Sequence, residues 1–335
     1  MELSIPASAL IITLVIIALV FDLVNGMNDA ANSIATIVST RVLTPGAAVC
    51  WAAFFNFIAF LVFGLSVAKT VGTGVIRPEA VDTYVIFGAL MGAITWNTVT
   101  RQLGIPSSSS HALIGGLVGA GTAKLGFHIV IWQGLAKIGS GIFMAPLIGF
   151  LLALVLVLIV SWIFVRATPF GVDRIFRQLQ FVSASLYSLG HGGNDAQKTM
   201  GIIAILLYSQ GYLGGEFYIP FWVVISCQAA MGLGTLFGGW KIVRTMGSKI
   251  TTLKPMQGFC AETGGAIALF LATGLGIPVS TTHTITGSIV GVGAARKVSA
   301  VRWNVAGNIV IAWVLTIPCS AMLGAAFHSL ALLLW

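Results

Sequence analysis

The chain alternates long apolar runs with a few short polar islands. Five of the runs are long enough, at roughly 17 to 25 residues, to cross the hydrocarbon core of a bilayer as helices. Together with shorter apolar stretches they predict an all-α, multi-pass membrane protein with about 10–12 membrane segments. The first run has Asp22 close to its end and leads directly into a polar island. We therefore expect a retained span and not a cleaved signal peptide. The five runs cover residues 5–24, 47–68, 142–165, 217–240 and 303–323.

Two polar islands occur twice, in the same order. Asn-Asp-Ala-Ala-Asn at residues 28–32 recurs as Asn-Asp-Ala-Gln-Lys at residues 194–198. Pro-Ser-Ser-Ser-Ser-His at residues 106–111 recurs as Pro-Val-Ser-Thr-Thr-His at residues 278–283. An offset of 166 residues relates the two Asn-Asp islands, and an offset of 172 relates the two Pro-Ser islands. The repetition indicates a duplicated unit.

The duplication divides the chain into two halves. We predict homologous repeats at residues 1–165 and 181–335, joined by a short polar loop at residues 166–180. Each Pro-Ser island precedes an apolar segment, residues 113–126 or 285–295, that is short for a membrane crossing. Short, Gly/Pro-interrupted segments at matching places are typical of transporter sites built from broken or re-entrant helices. The sequence alone leaves parallel and inverted arrangements of the repeats open.

Composition narrows the class of protein. Of the 335 residues, 57% are hydrophobic and 8% are charged, whereas soluble domains carry roughly 25% charged residues. The formal net charge of +8 comes from Lys and Arg in short loops beside apolar spans, which is the pattern of membrane topology and not of a nucleic-acid surface. The four cysteines stand singly, without the spacing of a disulfide framework or a zinc site.

The Asn-Asp islands place carboxylates in apolar surroundings. A charged Asp costs at least ~2.5 kcal/mol at the centre of a membrane helix, so Asp29 and Asp195 need compensation. Asn25, Asn28 and Asn32 recur at intervals of three and four, which aligns their amide oxygens along one face of a helix. Such oxygens suit a hard cation such as Na⁺. A proton on Asp is the other option, and hydrogen bonding between helices is the plain structural one.

Several polar positions lack a symmetric partner. Lys198 stands where the first island has its third Asn, which predicts two unequal cation sites. Glu262, close to Gln257, could bind a cation, carry a proton or pair with Lys198. Asp22 lies one turn before the first island, either on the path of the ion or as an anchor at the membrane interface.

The Pro-Ser islands suit an anion. Pro106 and Pro278 interrupt the preceding segment and favour the start of a helix after them. The hydroxyl groups then lie at a helix N-terminus, where free N–H groups and the helix dipole attract anions. Two such termini facing one cavity would bind a tetrahedral oxyanion, and an ordinary N-cap is the simpler alternative. His111 and His283 lie just inside these helices, either supporting the site or contacting the anion.

A Ser/His hydrolase is the competing chemistry. Ser110 precedes His111 and Thr282 precedes His283, but adjacent residues on a helix do not face each other. The sequence also lacks the G-x-S-x-G nucleophile elbow. We therefore expect a protein that is not an enzyme and needs no cofactor.

The two pairs of islands, together with Trp96-Asn97, resemble the inorganic phosphate transporter family, whose members carry phosphate with Na⁺ or H⁺. The resemblance covers essentially the whole chain. It departs from the family's animal members in its short central loop and in Asn56, which stands where those members carry Glu. The resemblance implies an inverted repeat with re-entrant helical hairpins and a central site between the repeats, in a prokaryotic inner or plasma membrane.

The resemblance further implies a symporter that imports inorganic phosphate with Na⁺ by alternating access. Its expected partners are phosphate, Na⁺ and the lipid bilayer, without nucleic acid, and a homodimer is one option for its assembly. The residues expected to bind phosphate are Ser107, Ser108, Ser109, Ser280, Thr281, Thr282, Asn28 and Asn194. Those expected to bind Na⁺ are Asn25, Asn28, Asp29, Asn32, Asn194, Asp195, Gln257 and Glu262. The residues expected to support the site or mark the path of the ion are Asp22, His111, His283 and Lys198.

Three alternatives stay open from the sequence. The first is coupling to H⁺ in place of Na⁺, and the second is a sulfate carrier of the same family. The third is an anion channel, which the paired cation-like islands disfavour because a channel needs no coupling ion.

Overall fold

The computed structural model describes residues 7–334, and every regular element within that range is helical. Residues 1–6 and 335 lie outside the described residues, including the first two positions of the predicted span at 5–24. Short 3₁₀ turns and one π-helical turn join some of the helices. The α-helices of the described range are α1 Ala7–Ser39, α2 Pro45–Ile58, α3 Ser66–Gly74, α4 Thr83–Leu103, α5 Ser109–Leu125, α6 Trp132–Ile163, α7 Pro169–Ser209, α8 Phe221–Phe237, α9 Trp240–Arg244, α10 Pro255–Gly274, α11 Thr281–Arg296 and α12 Trp303–Leu334.

Helices α1–α6 and α7–α12 follow the same order of long and short elements. Each half opens on a long helix of 33 or 41 residues and closes on a helix of 32 residues. The predicted polar loop at residues 166–180 is wrong over most of its length, because α7 already begins at Pro169. Thr168 caps that helix by accepting a hydrogen bond from the backbone of Gly171, and proline fits the first helical turn. Three of the four charged residues of this stretch, Asp173, Arg174 and Arg177, therefore lie on a helix.

Two predicted spans are broken helices. The helical segment from Pro45 to Leu61 meets α3 at a bend of 81°, and α8 meets the segment from Trp240 to Lys249 at 64°. Three helices among the described residues, α1, α6 and α12, are individually long and apolar enough to cross a membrane, and each bent pair adds one more span if counted whole. The predicted total of about 10–12 segments therefore stays a prediction.

The outer face of α6 is a continuous apolar stripe. Phe143, Leu147, Leu151, Leu158 and Trp162 are all exposed, at steps of four or seven that keep them on one side of the helix. Exposed large apolar side chains over this length would be unfavourable in water and are suited to lipid. The stripe therefore agrees with a membrane protein.

The last helix of each half packs against the other half. α12 packs on α4 and α5, and α6 packs on α10 and α11. Glycines allow the close approach: a Cβ atom on Gly119 of α5 would lie 2.0 Å from the carbonyl oxygen of Ala321, and one on Gly291 of α11 would lie 2.4 Å from that of Phe150. Gly119 and Gly291 are themselves 172 residues apart. The two halves are thus interlocked by equivalent contacts.

A polar layer separates two buried apolar clusters. Along α1, Leu14 and Phe21 belong to the first cluster and Ile34 to the second; along α7, Tyr187 belongs to the second and Met200 to the first. The polar islands lie between these positions on both helices. α1 and α7 therefore cross the layer in opposite directions. Inversion between the repeats stays a prediction, which this opposite order supports.

Candidate functional site

The two Pro-Ser islands meet at the centre of the molecule. Ser108 and Ser280 are the N-caps of α5 and α11, accepting hydrogen bonds from the backbone N–H of His111 at 3.2 Å and of His283 at 3.3 Å. The two imidazole rings lie 4.8 Å apart between centroids, so the first turns of the two helices are neighbours. The predicted pairing of helix N-termini is present.

Glycine makes the turn that leads into each island. α4 and its counterpart α10 are followed by Gly104 and Gly276, with φ of 69° and 65°. A residue with a Cβ atom rarely adopts this left-handed conformation. The chain therefore reverses after each helix and enters the Pro-Ser segment in an extended form, so that the capping serine, and not the proline, starts the next helix.

The Asn-Asp islands lie on α1 and α7 beside these helix termini. Their polar side chains are all nearly inaccessible to solvent, at 3% exposure or less. The site does not have a separate basic side chain for each carboxyl group. The aspartates at 29 and 195 and the histidine at 191 each offer a ligand atom within 4.8 Å of the other two, a geometry that could hold a cation. The buried set comprises Asp22, Asn25, Asn28, Asp29, Asn32, His191, Asn194, Asp195 and Lys198.

Hydroxyl groups of α11 connect the two islands. The amide of Asn32 donates to Thr281 at 3.2 Å and to Thr282 at 2.9 Å. Thr281 donates to Asp195 at 2.8 Å, and Thr282 donates to Asp29 at 3.2 Å. Thr281 and Thr282, expected to bind an anion, therefore share one hydrogen-bond network with three residues expected to bind a cation, which are Asp29, Asn32 and Asp195.

Lys198 is the basic residue of this network. Its ammonium group donates to Asp195, to Ser110 and, at 2.7 Å, to the main-chain carbonyl of Val279. The alternative pairing of Lys198 with Glu262 is wrong. The ammonium group bonds instead to Asp195 on its own helix, α7, and to Ser110 at the N-terminus of α5. One Lys and three carboxyl groups, at 22, 29 and 195, lie in the buried cluster, so its carboxyl groups outnumber its lysine.

Several buried oxygens of the islands accept no hydrogen bond among the described residues. They include both carboxylate oxygens of Asp22 and the side-chain oxygens of Asn25, Asn28, Asn32 and Asn194. The amide nitrogens of Asn28 and Asn194 do have partners, the carbonyl of Asn97 and the hydroxyl of Thr273. Acceptors left without donors in a buried site are suited to a bound cation. Complete burial also makes the interfacial role considered for Asp22 wrong.

Glu262 lies in a separate polar pocket. Thr36 of α1 donates to it at 2.5 Å, Gln180 of α7 donates at 3.0 Å, and Ser183 of α7 donates to its other oxygen. No basic side chain of the described residues lies within ion-pair distance of this carboxylate. Gln257 is not part of the pocket's hydrogen bonds: its side-chain oxygen accepts from the backbone of Lys254 and caps α10.

The two histidines are packed, and sequence reasoning overlooked a third. The ring of His283 stacks on Trp313 with 3.8 Å between centroids, and both histidines are buried. His191 had not been expected in the site, yet its Nε2 lies 3.3 Å from Asp195 and its Nδ1 lies 3.0 Å from Asn56. Its position four residues before Asp195, on the same helical face, was the available signal.

Three further contacts near the site were not expected from the sequence. Tyr187 donates to the main-chain carbonyl of Thr281 at 2.9 Å and fixes the first turn of α11. Ser107 donates to Thr100 at 2.8 Å, outside the helix it precedes. Gln197 accepts from the backbone of Val67 and Ala68 and caps α3, so this member of the second island has a structural role.

The fold and the site define a class of protein: a helical membrane transporter whose broken helices meet around buried carboxylates and paired helix N-termini. Residues 25–324 match the family model described as the phosphate transporter family. The chain belongs to this family, which confirms the resemblance seen in its sequence.

Similar proteins agree with this assignment. The chain is 74% identical to a probable low-affinity inorganic phosphate transporter of Rhizobium meliloti (strain 1021), over 95% of this chain and 96% of that one. It is 45% identical to a protein of the same description from Bacillus subtilis (strain 168), over 94% and 95%. A solved structure described as the sodium-dependent phosphate transporter matches with a TM-score of 0.88 and 27% identity, over 97% of this chain and all of that chain.

Proposed function

We propose that the protein is a secondary active symporter that imports inorganic phosphate together with Na⁺ by alternating access. The observation that carries the proposal is the meeting of two capped helix N-termini beside a buried Asn-Asp cluster with three carboxyl groups. The solved relative described as sodium-dependent supports Na⁺ as the coupling ion. The bacterial relatives, described as phosphate transporters, support the substrate and a plasma-membrane location.

Phosphate would bind at the first turns of α5 and α11. The free N–H groups and hydroxyls there are neutral donors, which hold an anion without the strong attraction of a fixed positive charge. Release into the cell then needs no large ionic interaction to be broken. The hydroxyl groups proposed as ligands are those of Ser107, Ser108, Ser109, Ser280, Thr281 and Thr282, with the amides of Asn28 and Asn194 beside them.

Na⁺ would bind at the unpartnered oxygens of the islands, and charge explains the coupling. Carboxyl groups outnumber the lysine in the buried cluster, and moving a negative charge against the membrane potential costs ~2.3 kcal/mol per charge per 100 mV. Cations that bind first reduce both the local repulsion and this cost. Occupancy by Na⁺ should therefore raise the affinity for phosphate, and phosphate should raise the affinity for Na⁺ by the same factor.

Rocking of one half against the other would supply alternating access. α1 and α7 carry the site across the polar layer in opposite directions, and α6 and α12 tie each half to its neighbour. Movement of the interlocked halves about this layer would expose the site to one side of the membrane at a time.

Phosphate uptake into proteoliposomes tests the proposal, with Na⁺, pH and sulfate varied independently. We expect uptake that concentrates phosphate when Na⁺ is higher outside. Asp29→Asn should weaken the apparent affinity for Na⁺ by about 10- to 100-fold. Asp173→Asn, which alters an exposed ion pair with Arg177, is the matched control and should transport normally.

Each alternative predicts a different result in the same vesicles. Uptake that follows the pH gradient when choline replaces Na⁺ would establish H⁺ coupling. Strong competition by sulfate would redefine the anion. Phosphate that equilibrates but never accumulates would indicate a channel and contradict the proposal.

A further inference from the structure

Lys198 and Asn32 occupy equivalent places in the two halves. They are related by the 166-residue offset of the Asn-Asp islands. Asn32 on α1 reaches the N-terminus of α11 through Thr281 and Thr282, whereas Lys198 on α7 reaches the N-terminus of α5 through Ser110. Ser110 corresponds to Thr282 under the 172-residue offset. The same contact between halves is thus made by an amide on one side and by an ammonium group on the other.

Three oxygens from three parts of the fold surround the ammonium group of Lys198. They are the carboxylate of Asp195 on α7, the hydroxyl of Ser110 at the start of α5 and the carbonyl of Val279 ahead of α11. Carboxylate, hydroxyl and carbonyl oxygens are the ligands that a hard cation prefers. An ammonium group is a compact point charge with three donors, and all three are used here. Lys198 therefore stands where a bound cation would stand.

The equivalent place in the first half contains oxygens but no cationic side chain. Thr282 donates directly to Asp29 at 3.2 Å, in contrast to the second half, where the ammonium group lies between the hydroxyl and the carboxylate. The 172-residue offset relates Val279 to Ser107. By this correspondence, the main-chain carbonyl of Ser107 is the counterpart of the Val279 carbonyl that accepts from Lys198. The side-chain oxygen of Asn32, which Lys198 lacks, has no hydrogen-bond donor.

We propose that Lys198 is a built-in cation that permanently fills the cation position of the second half. Of these two equivalent positions, only the one in the first half, formed by Asp29, Thr282, Asn32 and the carbonyl of Ser107, then takes up and releases a mobile cation. The inference rests on the proposed symport, because it names the half that supplies the coupling ion. Its consequence is one coupling cation fewer per phosphate than a chain with Asn at position 198 would use.

Two other roles for Lys198 make different predictions. As a phosphate ligand it would need a free N–H, although its three donors are already bonded to oxygen. As a purely structural partner of Asp195 it would affect folding without changing the number of ions transported. Counting the ions therefore separates the three roles.

Lys198→Asn restores in the second half the amide found in the first. The number of Na⁺ ions carried per phosphate is measured from the reversal potential of phosphate flux in proteoliposomes, for the wild type and the variant. We expect the number to rise by one. With a tenfold Na⁺ gradient at zero potential, the largest phosphate accumulation then rises by about tenfold. Lys241→Asn, which removes an exposed bond to the carbonyl of Gln102, is the matched control and should keep the wild-type number.

An unchanged ion number in Lys198→Asn would overturn the proposal. Weaker phosphate binding with that unchanged number would make Lys198 a phosphate ligand, and unchanged binding would make it structural. Absence of Na⁺-driven phosphate uptake in the wild type would instead contradict the proposed function, so the two failures are distinguishable.

A second measurement needs no variant and covers the case in which Lys198→Asn does not fold. Tl⁺, a heavy monovalent cation, is diffused into crystals of the wild type and located by its anomalous scattering. We expect Tl⁺ beside Asp29 and Thr282 and none between Asp195 and Ser110. Tl⁺ beside Asp195, with the Lys198 side chain displaced, would overturn the proposal.

Discussion

The two halves of the molecule agree where an anion would bind and differ where cations would bind. The caps Ser108 and Ser280 are equivalent in position and in hydrogen bonding, within 0.1 Å. The Asn-Asp islands, in contrast, differ at their last position, where the first has the amide of Asn32 and the second has the ammonium group of Lys198. The two halves thus have equivalent helix caps and unequal Asn-Asp islands, whatever ions these bind.

The pocket around Glu262 shows the same asymmetry more completely. Glu262 and its three donors correspond, by the offsets of 166 and 172, to four apolar residues, three in the first half and one, Ile202, in the second. Three of these residues belong to one hydrophobic cluster, and Ile17 packs against it. The correspondences are Glu262 with Leu90, Thr36 with Ile202, Gln180 with Leu14 and Ser183 with Ile17.

All four side chains differ together between these equivalent positions. A lone carboxylate among the four apolar residues would lack donors, and a lone leucine among the three polar residues would leave donors unpaired. Each set is internally consistent, so either arrangement can fold. A role for the polar set in cation coupling would follow from the proposed function and not from stability.

Asp195→Asn should have the largest effect and should separate the two islands. Asp195 carries the ion pair with Lys198, and loss of one partner from a buried pair costs about 3–5 kcal/mol of unfolding free energy. Asp29→Asn removes no ion pair and keeps an acceptor for Thr282, so we expect a loss of about 1 kcal/mol. Denaturant unfolding in detergent measures both variants. Equal losses would contradict the assignment of Lys198 to the second island alone.

Glu262→Leu tests whether its pocket behaves as a set. Removing the acceptor leaves three buried donors without it, and we expect a loss of about 3 kcal/mol in the same unfolding assay. Adding Thr36→Ile, Gln180→Leu and Ser183→Ile copies the equivalent apolar set, and we expect stability to return to within about 1 kcal/mol of the wild type.

The quadruple variant also tests the pocket's role in transport. If Glu262 binds a coupling cation, the quadruple variant should combine nearly wild-type stability with an altered Na⁺ dependence of phosphate uptake. Wild-type stability with wild-type Na⁺ dependence would show that the pocket is structural only. Losses that simply add across the four substitutions would contradict the set-like behaviour.

Gly119→Ala and Gly291→Ala should test the interlocking of the halves and should have similar effects. Each new Cβ atom would lie within 2.5 Å of a carbonyl oxygen of the facing helix, α12 or α6. Such overpacking costs about 1–3 kcal/mol. Gly139→Ala in α6 is the control, because its Cβ atom would have no neighbour within 4 Å and alanine favours the helix. A large difference between the first two variants would show that the halves are not equivalently packed.

Local patterns in the sequence predicted much of this arrangement. The islands, their order and the turns at Pro106 and Pro278 depend on neighbouring residues, so the helix starts and the meeting of two N-termini followed from them. The partners of Lys198 and Glu262 did not follow from such patterns, because Glu262 bonds to Thr36, 226 residues away, and Lys198 bonds to Ser110, 88 residues away. Charge and polarity identify a residue that needs a partner, but only the packing of helices selects which one.

Ser108→Ala and Ser280→Ala should have the smallest effects and should match each other. Each substitution removes the hydroxyl that caps its helix and should cost about 1 kcal/mol in the unfolding assay. Replacement by Asn, which can also cap, should recover most of that loss in either half. If both hydroxyls also bind phosphate, the Ala variants should raise the KM for phosphate to a similar extent without changing the Na⁺ number. Unequal KM values for the two variants would show that the asymmetry of the islands extends to the anion, because the caps themselves are equivalent.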